Sequence, residues 1–268
     1  MSRQRSNKRP PYPTYEPGCP IIAALLMEGD EFPIEAVQAQ IAKTPITGSM
    51  PTAGQVANGI LTFDLADDIA ALAPMPAPYP WSDLQGPCAT SWMWPPHTPA
   101  MGLQRHRTHV LVTMVGGKRD AITRRLAMTQ LTAMGARQKG VMGVYWPEAT
   151  MVHYPKVFID MAQAAKSPQA PPLFLWLDLR VFRNPDATVG LFTTGMRPLG
   201  HMEIEIPAIA MQPAELRNWT LNVASYLLEN GPVLKDGHTI GMTAEQRIRV
   251  RHAASQFNRP GLVLRLEP

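Results

Sequence analysis

The chain has 268 residues, of which 45% are hydrophobic and 17% charged, a balance that is typical of globular proteins and excludes an intrinsically disordered chain. Its net charge of +4 arises from Arg3, Arg5, Lys8 and Arg9, because the other 21 basic residues equal the 21 acidic ones in number. A nucleic-acid-binding protein carries its basic residues on a face of the fold itself. We therefore expect no nucleic-acid partner.

The chain contains two cysteines, Cys19 and Cys88, which excludes a framework of several disulfides and a four-cysteine metal site. We expect two free, buried thiols in a reducing compartment, although a single disulfide between them is also compatible with the sequence.

The basic N-terminus and the apolar residues 21–27 resemble a secretion signal in outline. The apolar part is only seven residues long, however, and it runs into acidic residues without a small-residue cleavage site. No other stretch approaches the roughly 20 apolar residues of a transmembrane helix. We expect a cytoplasmic protein with no membrane partner.

Residues 1–18 hold four prolines and four basic residues with little to bury, which predicts a flexible basic arm. The elements predicted next are a buried strand at residues 21–27, a helix from residue 33 to about 43 with Asp30 as its cap, and a hairpin of residues 60–65 and 69–75.

The character of the sequence changes at residues 74–99, which contain eight prolines together with Trp81, Trp92 and Trp94. Prolines at this density are incompatible with a regular helix or a central strand. The tryptophans still require burial, so we expect an ordered, packed excursion here rather than a linker.

The rest of the sequence predicts further strands, two long helices and one short helix. The predicted strands cover residues 110–115, 141–146, 173–182, 189–194, 201–206, 247–251 and 262–266; the predicted helices cover residues 120–139, with Arg124 and Arg125 mostly outward, 155–165 and 213–229. This order predicts an α+β fold with mixed, mainly antiparallel sheets and about three substantial helices. Such a fold could be divided into two packed α/β parts, residues 19–166 and 173–268.

Residues 201–206 alternate strictly, with His201, Glu203 and Glu205 on one side of the predicted strand. Same-face positions on a strand lie about 6.5–7 Å apart, so three in a row rarely bind one metal ion. The other interpretation is an exposed polar face that pairs with the oppositely charged alternation of Arg247, Arg249 and Arg251. We expect the exposed face, and no metal.

Two further groups could carry chemistry. Cys88 could be a nucleophile with His97 or His109 as its base, or with His106, His109 or His201 folded into the same cleft, but no sequence motif places a base beside it. Residues 116–119, Gly-Gly-Lys-Arg between a strand and a helix, could bind a phosphate, but they lack the spacing of a P-loop, so a turn is the better interpretation.

Several segments together resemble the bacterial family called domain of unknown function 4261: residues 75–84 running into 86–92, residues 193–207, and residues 234–241 followed by 247–252. The last two also resemble suppressor-of-fused-type domains, which are protein-binding α/β folds. The resemblance implies no catalytic residue, since the family has no established activity. It implies a stand-alone protein of bacteria that carry secreted polymorphic toxins, among whose immunity and accessory proteins this profile occurs.

From this resemblance we expect a non-enzymatic, protein-binding protein without a cofactor, the immunity or accessory partner of a toxin from a type VI secretion or polymorphic toxin system. The alternatives are a hydrolase or transferase of unrecognised type that uses Cys88 and histidines, and a structural or assembly protein. Aromatic residues are enriched at interface hot spots. The residues expected to bind are Trp81, Asp83, Trp92, Trp94, His201, Glu203 and Glu205.

Overall fold

The computed structural model describes residues 13–241, 243 and 246–268. Most of the predicted basic arm, including its four basic residues, lies outside the described residues. The chain divides into two compact units. The first is Glu16–Asp178, and the second is Leu179–Pro268 together with the described residues 13–15.

The first unit contains a seven-stranded sheet. Its strands are β1 (Ile21–Met27), β2 (Gln55–Ala57), β3 (Ile60–Leu65), β4 (Asp68–Met75), β5 (Thr108–Val115), β6 (Val141–Trp146) and β7 (Met151–His153). Their order is β2-β3-β4-β5-β1-β6-β7, and each neighbouring pair is antiparallel.

Five helices accompany this sheet: α1 (Ile34–Ile41), α2 (Trp81–Thr90), α3 (Ala121–Ala136), α4 (Pro155–Ala164) and α5 (Leu173–Trp176). Short 3₁₀ turns cover Ala100–Arg105 and Pro147–Ala149. Helix α3 starts where expected, because the Asp120 carboxylate accepts hydrogen bonds from the backbone N–H groups of Ile122 and Thr123. Asp30 does not cap α1; it pairs instead with Arg107.

Strand β1 explains the uninterrupted apolar run of residues 21–27, because the sheet is covered on both faces there. On one face Leu25 packs against α3 so closely that a Cβ on Gly135 would lie 2.6 Å from its side chain. On the other, Ala24 and Leu26 join a core cluster with Leu84 and Cys88 of α2. Apart from Ile22, which is exposed, the side chains of β1 are buried on both faces, so the strand shows no polar alternation.

The helix α2 contradicts our expectation that residues 74–99 contain no regular helix. Pro80 precedes its first residue, where a proline is tolerated, while Pro87 lies inside it. Leu84 and Cys88 are four residues apart and therefore share the face that is buried in the core. The burial of that face outweighs the hydrogen bond that Pro87 cannot donate.

A buried ionic network joins the turn before β4 to the segment before α3. The Asp68 carboxylate lies 2.8 Å from Arg124 Nε and 2.7 Å from a terminal nitrogen of Arg119, and it accepts a hydrogen bond from the backbone N–H of Gly117. The side chains of Asp68 and Arg124 are fully buried. The expectation that Arg124 and Arg125 point outward is therefore wrong: Arg125 also is buried, in a two-bond pair with Glu148.

The second unit is built on a six-stranded sheet. Its elements are β8 (Asp178–Arg183), β9 (Val189–Thr194), β10 (Ile204–Ile209), α6 (Pro213–Asn230), β11 (Thr239–Ile240), β12 (Ile248–Ala254) and β13 (Leu262–Glu267), with a 3₁₀ turn at Arg197–Leu199. The strand order is β11-β12-β13-β10-β9-β8. Strands β10 and β13 run parallel, whereas β9–β10, β11–β12 and β12–β13 are antiparallel.

The predicted fold class is confirmed: the protein is α+β, with two sheets that are mostly antiparallel and one of them mixed. The strand predicted at residues 173–182 begins instead with the helical turn α5, and the one predicted at 201–206 begins only at Ile204. Within the part of the chain that the structure describes, none of the helices combines the length and the apolar character needed to cross a membrane.

Candidate functional site

The second unit carries an apolar groove along one side of α6, which we call the α6 groove. Its volume is about 560 Å³, within the range of roughly 300–1,000 Å³ that is usual for binding sites. Nine residues line it: Glu215, Asn218, Trp219, Asn222, Val223, Tyr226, Leu234, Ile240 and Gly241. The groove is therefore made by one long helix and by the segment that returns from it to the sheet.

Helix α6 forms because its sequence meets the requirements at both ends. Pro213 occupies the first turn, where its fixed φ suits the helix and its missing N–H is not needed. Gly231, with a φ of 77°, ends it in a conformation that favours glycine. Between them the side chains buried along the helix are Leu216, Trp219, Thr220, Leu221, Val223, Ala224 and Leu227.

The floor of the α6 groove is apolar and mostly buried. Trp219, Val223 and Leu234 are buried, and Ile240 is half-buried beside them. At the end of the groove towards the C-terminus of α6, Tyr226 is 48% exposed. Its ring therefore adds exposed aromatic surface at one end of an apolar floor.

One wall of the groove is polar. Glu215, Asn218 and Asn222 follow one another at intervals of three and four residues, so they form a stripe along the same side of α6. All three are exposed. Neither the carboxylate of Glu215 nor the carboxamide of either asparagine contacts a polar partner among the described residues. In the described part of the chain, these three side chains therefore face solvent.

The structure buries His201, Glu203 and Glu205, so the predicted exposed polar face is wrong. The Glu203 carboxylate accepts hydrogen bonds from the Thr193 hydroxyl at 2.7 Å and from the backbone N–H groups of Gly195, Met196 and Arg197. Such a carboxylate is satisfied by a tight turn, not by water. It holds the turn between β9 and β10 and has no free lone pair to offer a partner.

Glu205 and His201 are likewise enclosed. The Glu205 carboxylate accepts hydrogen bonds from the Ser255 hydroxyl and from the backbone N–H of Gln256. His201 packs among apolar side chains that include Met202 and Leu227, and burial lowers its pKa. Among the described residues, no three His, Cys, Asp or Glu side chains are grouped so as to hold a metal ion.

The arginines expected to pair with these acids do not lie beside them. Strand β13 lies between β10 and β12, so Arg249 and Arg251 are not beside Glu203 and Glu205. Arg251 lies 3.8 Å from the Asp236 carboxylate and 3.9 Å from that of Glu267, which is half-exposed on β13. The two alternating segments belong to the same sheet, but their charged residues do not meet.

The three tryptophans of the proline-rich segment are half-buried within the first unit. Trp81 and Trp94 pack against the core cluster beneath α2, and Trp92 meets Phe174 edge to face, with ring centres 5.5 Å apart. Asp83 is exposed in the first turn of α2. Much of each indole therefore serves packing, and a role of these residues in binding stays a prediction.

The structure does not give Cys88 the environment of a nucleophile. Burial raises the pKa of its thiol to about 12, whereas a reactive cysteine has a lowered pKa. His106 uses both ring nitrogens locally: Nδ1 lies 2.6 Å from the Leu103 carbonyl oxygen, and Nε2 accepts a hydrogen bond from the backbone N–H of Tyr79. His109 Nδ1 lies 2.7 Å from the Ala77 carbonyl oxygen, and His201 belongs to the other unit.

The predicted turn at residues 116–119 is also explained by internal contacts. The backbone N–H groups that could have bound a phosphate donate instead to acidic side chains: that of Lys118 to Asp67 at 2.6 Å, and that of Gly117 to Asp68 at 3.0 Å. The carboxylates of Asp67 and Asp68 thus occupy the N–H donors that a phosphate would need.

A second, larger hollow, of about 1,190 Å³, lies in the first unit around Gly29 and Gly140. The ion pair of Arg107 with Asp30, 3.2 Å apart, lies at this hollow, and its other charged side chains are of both signs. Its lining is more polar than that of the α6 groove. We therefore regard the α6 groove as the candidate functional site.

Sequence reasoning predicted α6 but did not identify its polar stripe. The signal was present, because residues 215, 218 and 222 lie on one side of any helix that starts at Pro213. The residues that close the groove, Leu234 and Ile240, belong to the segment after the helix. Their return to α6 has no counterpart in a local sequence pattern.

Comparison with family models finds one match: residues 192–267 match the family described as Domain of unknown function (DUF4261). This confirms the resemblance for that part of the chain, which lies entirely in the second unit and contains the α6 groove. The segment 75–92, which also suggested the family, lies outside the match. No curated protein and no solved structure matches the chain.

Proposed function

We propose that this chain, whose residues 192–267 match the family described as domain of unknown function 4261, is a cytoplasmic protein that acts by binding another protein rather than by catalysis. We propose further that its partner is a secreted bacterial toxin of a type VI or polymorphic toxin system, for which it serves as immunity or accessory protein.

The observation that carries the first part of the proposal is the α6 groove. Its floor is formed by buried apolar side chains, its wall bears polar groups without a partner in the described chain, and Tyr226 stays exposed at one end. Tyrosine and tryptophan are the residue types that contribute most to protein interfaces. The groove also lies in the segment that matches the family.

The surroundings of the candidate catalytic residues also support a binding protein rather than an enzyme. A toxin inhibitor needs a stable fold with a displayed surface, and it does not need a perturbed acid–base pair. The raised pKa of Cys88 and the carbonyl contacts of His106 and His109 suit structural roles. The toxin as partner comes from the family resemblance alone.

The experiment is to express each protein encoded beside this gene, with and without the wild-type chain, and to measure growth and complex formation. The test variant is Tyr226→Asp, which places a charge at the exposed end of the groove. The matched control is Leu262→Asp, at a similarly exposed apolar residue of β13 in the same unit. We expect protection and binding from the wild type and from the control, and loss of both from Tyr226→Asp.

Two results would contradict the proposal. Failure of the wild-type chain to bind or protect against any neighbouring gene product would remove the toxin partner. Equal binding by Tyr226→Asp and the wild type would remove the α6 groove as the interface and would return attention to the surface of Trp81, Asp83, Trp92 and Trp94.

A further inference from the structure

We infer that the α6 groove binds its partner as an extended peptide segment with an apolar side chain for the groove floor and a basic residue near Glu215. This inference rests on the proposed function, in that it specifies the form in which a protein partner occupies the same groove.

The spacing of the two asparagines carries the extended conformation. Asn218 and Asn222 are four residues apart on α6, which is about 6 Å along a helix axis. Alternate residues of an extended chain are about 6.6–6.8 Å apart. Two side-chain carboxamides on one side of a helix can therefore reach the backbone groups of alternate residues in a peptide that lies along it.

The chemistry of the carboxamide supports the same conformation. Each Asn side chain offers donors and an acceptor together, as the backbone of an extended peptide requires. A helical peptide satisfies most of its own backbone groups and gains most from a wholly apolar groove. Neither Asn218 nor Asn222 has a hydrogen-bond partner among the described residues, and both side chains are exposed.

The floor sets the side chain that the peptide must carry. Trp219, Val223 and Leu234 form an apolar surface beside the asparagines. In an extended chain successive side chains point to opposite sides. A peptide whose backbone lies against Asn218 and Asn222 therefore directs alternate side chains to this floor, and those should be apolar.

The charge of the groove sets the flanking residue. Glu215 lies at the end of the groove near the start of α6, makes no ion pair with a described residue, and no basic side chain lines the groove. From Glu215 to Tyr226 the helix rises by roughly 16 Å, which is about the length of five extended residues. A Lys or Arg at the end near Glu215 would complement the carboxylate.

The test uses linear heptapeptides displayed on phage, selected on the full chain and counter-selected on Tyr226→Asp. We expect enriched peptides with alternating apolar residues and a Lys or Arg at one end. One enriched peptide is then synthesised for affinity measurement. Its binding should show a shift of the Trp219 signal in ¹⁹F spectra of protein labelled with fluorotryptophan, assigned with Trp219→Phe.

The variants separate the peptide's mode of binding from binding in general. The double variant Asn218→Ala, Asn222→Ala should weaken the peptide by at least about tenfold, the loss expected for two hydrogen bonds. Glu215→Gln should weaken it a few-fold, and less at high salt because the charges are exposed. Glu229→Gln, an exposed acid of the same helix that does not line the groove, is the matched control and should have no effect.

The complementary change is N-methylation of the peptide, which removes backbone N–H donors at alternate residues. Of two such peptides, one methylated at the odd residues and the other at the even residues, we expect only one to lose binding. Absence of enriched peptides, or a bound peptide that is indifferent to the double asparagine variant, would overturn the inference. If the toxin-like partner still needs Tyr226 in that case, the proposed function stands and only the extended mode fails. If peptides bind as expected but no neighbouring protein does, the extended mode of peptide binding stands and the proposed partner fails.

Discussion

The Thr193 hydroxyl donates a hydrogen bond to the Glu203 carboxylate at 2.7 Å and accepts one from the backbone N–H of Ile204 at 2.8 Å. Both side chains are buried. The pair lies where β9 leaves the sheet and β10 enters it. Gly195, whose φ is 118°, lets the chain turn so that the following N–H groups also point at the carboxylate.

We therefore expect Glu203→Ala to destabilise the second unit by about 3 kcal/mol or more, because it leaves several buried N–H groups without an acceptor. Glu267→Ala is the matched control, because this carboxylate of β13 is half-exposed and its two arginine contacts are 3.9 Å long, and it should cost less than about 1 kcal/mol. The free energy of unfolding can be followed by the ¹⁹F signal of Trp219, the one tryptophan of Leu179–Pro268. Equal, small losses for both variants would show that Glu203 is exposed to solvent in solution.

Glu203 also shows what the sequence could and could not predict. The alternation of residues 201–206 was real, but the step from polar to exposed was wrong, because the partners of Glu203 come from the preceding turn. By contrast, the strand β3, which alternates exposed and buried residues along its whole length, agreed with its pattern. An alternation of polar and apolar residues reliably predicts the exposed face of a strand where water is the only hydrogen-bond partner available to the polar residues.

The helices show the same limit. The long helices α3 and α6 follow from apolar periodicity and from end signals such as Asp120 and Pro213. Helix α2 does not, since its stability depends on the core that Leu84 and Cys88 reach. The α6 groove was missed for the same reason, because its closing residues are brought to α6 by the tertiary fold.

The close approach of Gly117 to Asp68 provides a second test. A Cβ at residue 117 would lie 2.4 Å from the Asp68 carboxyl group, which is fixed by Arg124 and Arg119. Gly117→Ala should therefore destabilise the first unit by roughly 1–3 kcal/mol, as overpacking of a rigid site does. Gly29→Ala, whose Cβ would meet nothing within 4 Å, should leave the free energy of unfolding unchanged or slightly higher.

Urea denaturation of the two glycine variants measures this difference. If Gly117→Ala is as stable as Gly29→Ala, the carboxylate of Asp68 is free to move, and the ionic network is not the rigid element that joins the turn before β4 to α3.

His153 should make the first unit sensitive to acid. Burial lowers its pKa to about 4, with the backbone of Leu175 acting weakly in the opposite direction. An unfolded histidine titrates near 6.5, so the unfolded chain binds the proton more tightly. The neutral ring therefore contributes its full stabilisation above pH 6.5, and this contribution is lost as the pH falls towards 4. The free energy of unfolding should fall by roughly 2–3 kcal/mol between pH 7 and pH 4.5.

The variants His153→Gln and His97→Gln test this by thermal or urea unfolding at both pH values. His97 is exposed, so its replacement should leave the acid sensitivity unchanged. His153→Gln should be less stable at pH 7 but should lose less on acidification. An unchanged loss for His153→Gln would assign the acid sensitivity to other groups of the first unit, such as His109, whose pKa is also lowered by burial.

The two cysteines should differ sharply in reactivity, and the difference bears on the enzyme alternative. The expectation of two free thiols agrees with the structure, but the expectation that both are buried is wrong for Cys19, which is exposed. The Cys88 thiol is buried, and burial raises its pKa to about 12. Since the thiolate is the reacting form, Ellman's reagent at pH 8 should label one thiol per native chain and two after denaturation. Cys19→Ser should abolish the native reaction, and Cys88→Ser should leave it unchanged. Rapid native labelling that persists in Cys19→Ser would mean that Cys88 is an accessible thiolate, and a nucleophilic role for it would then have to be taken up again.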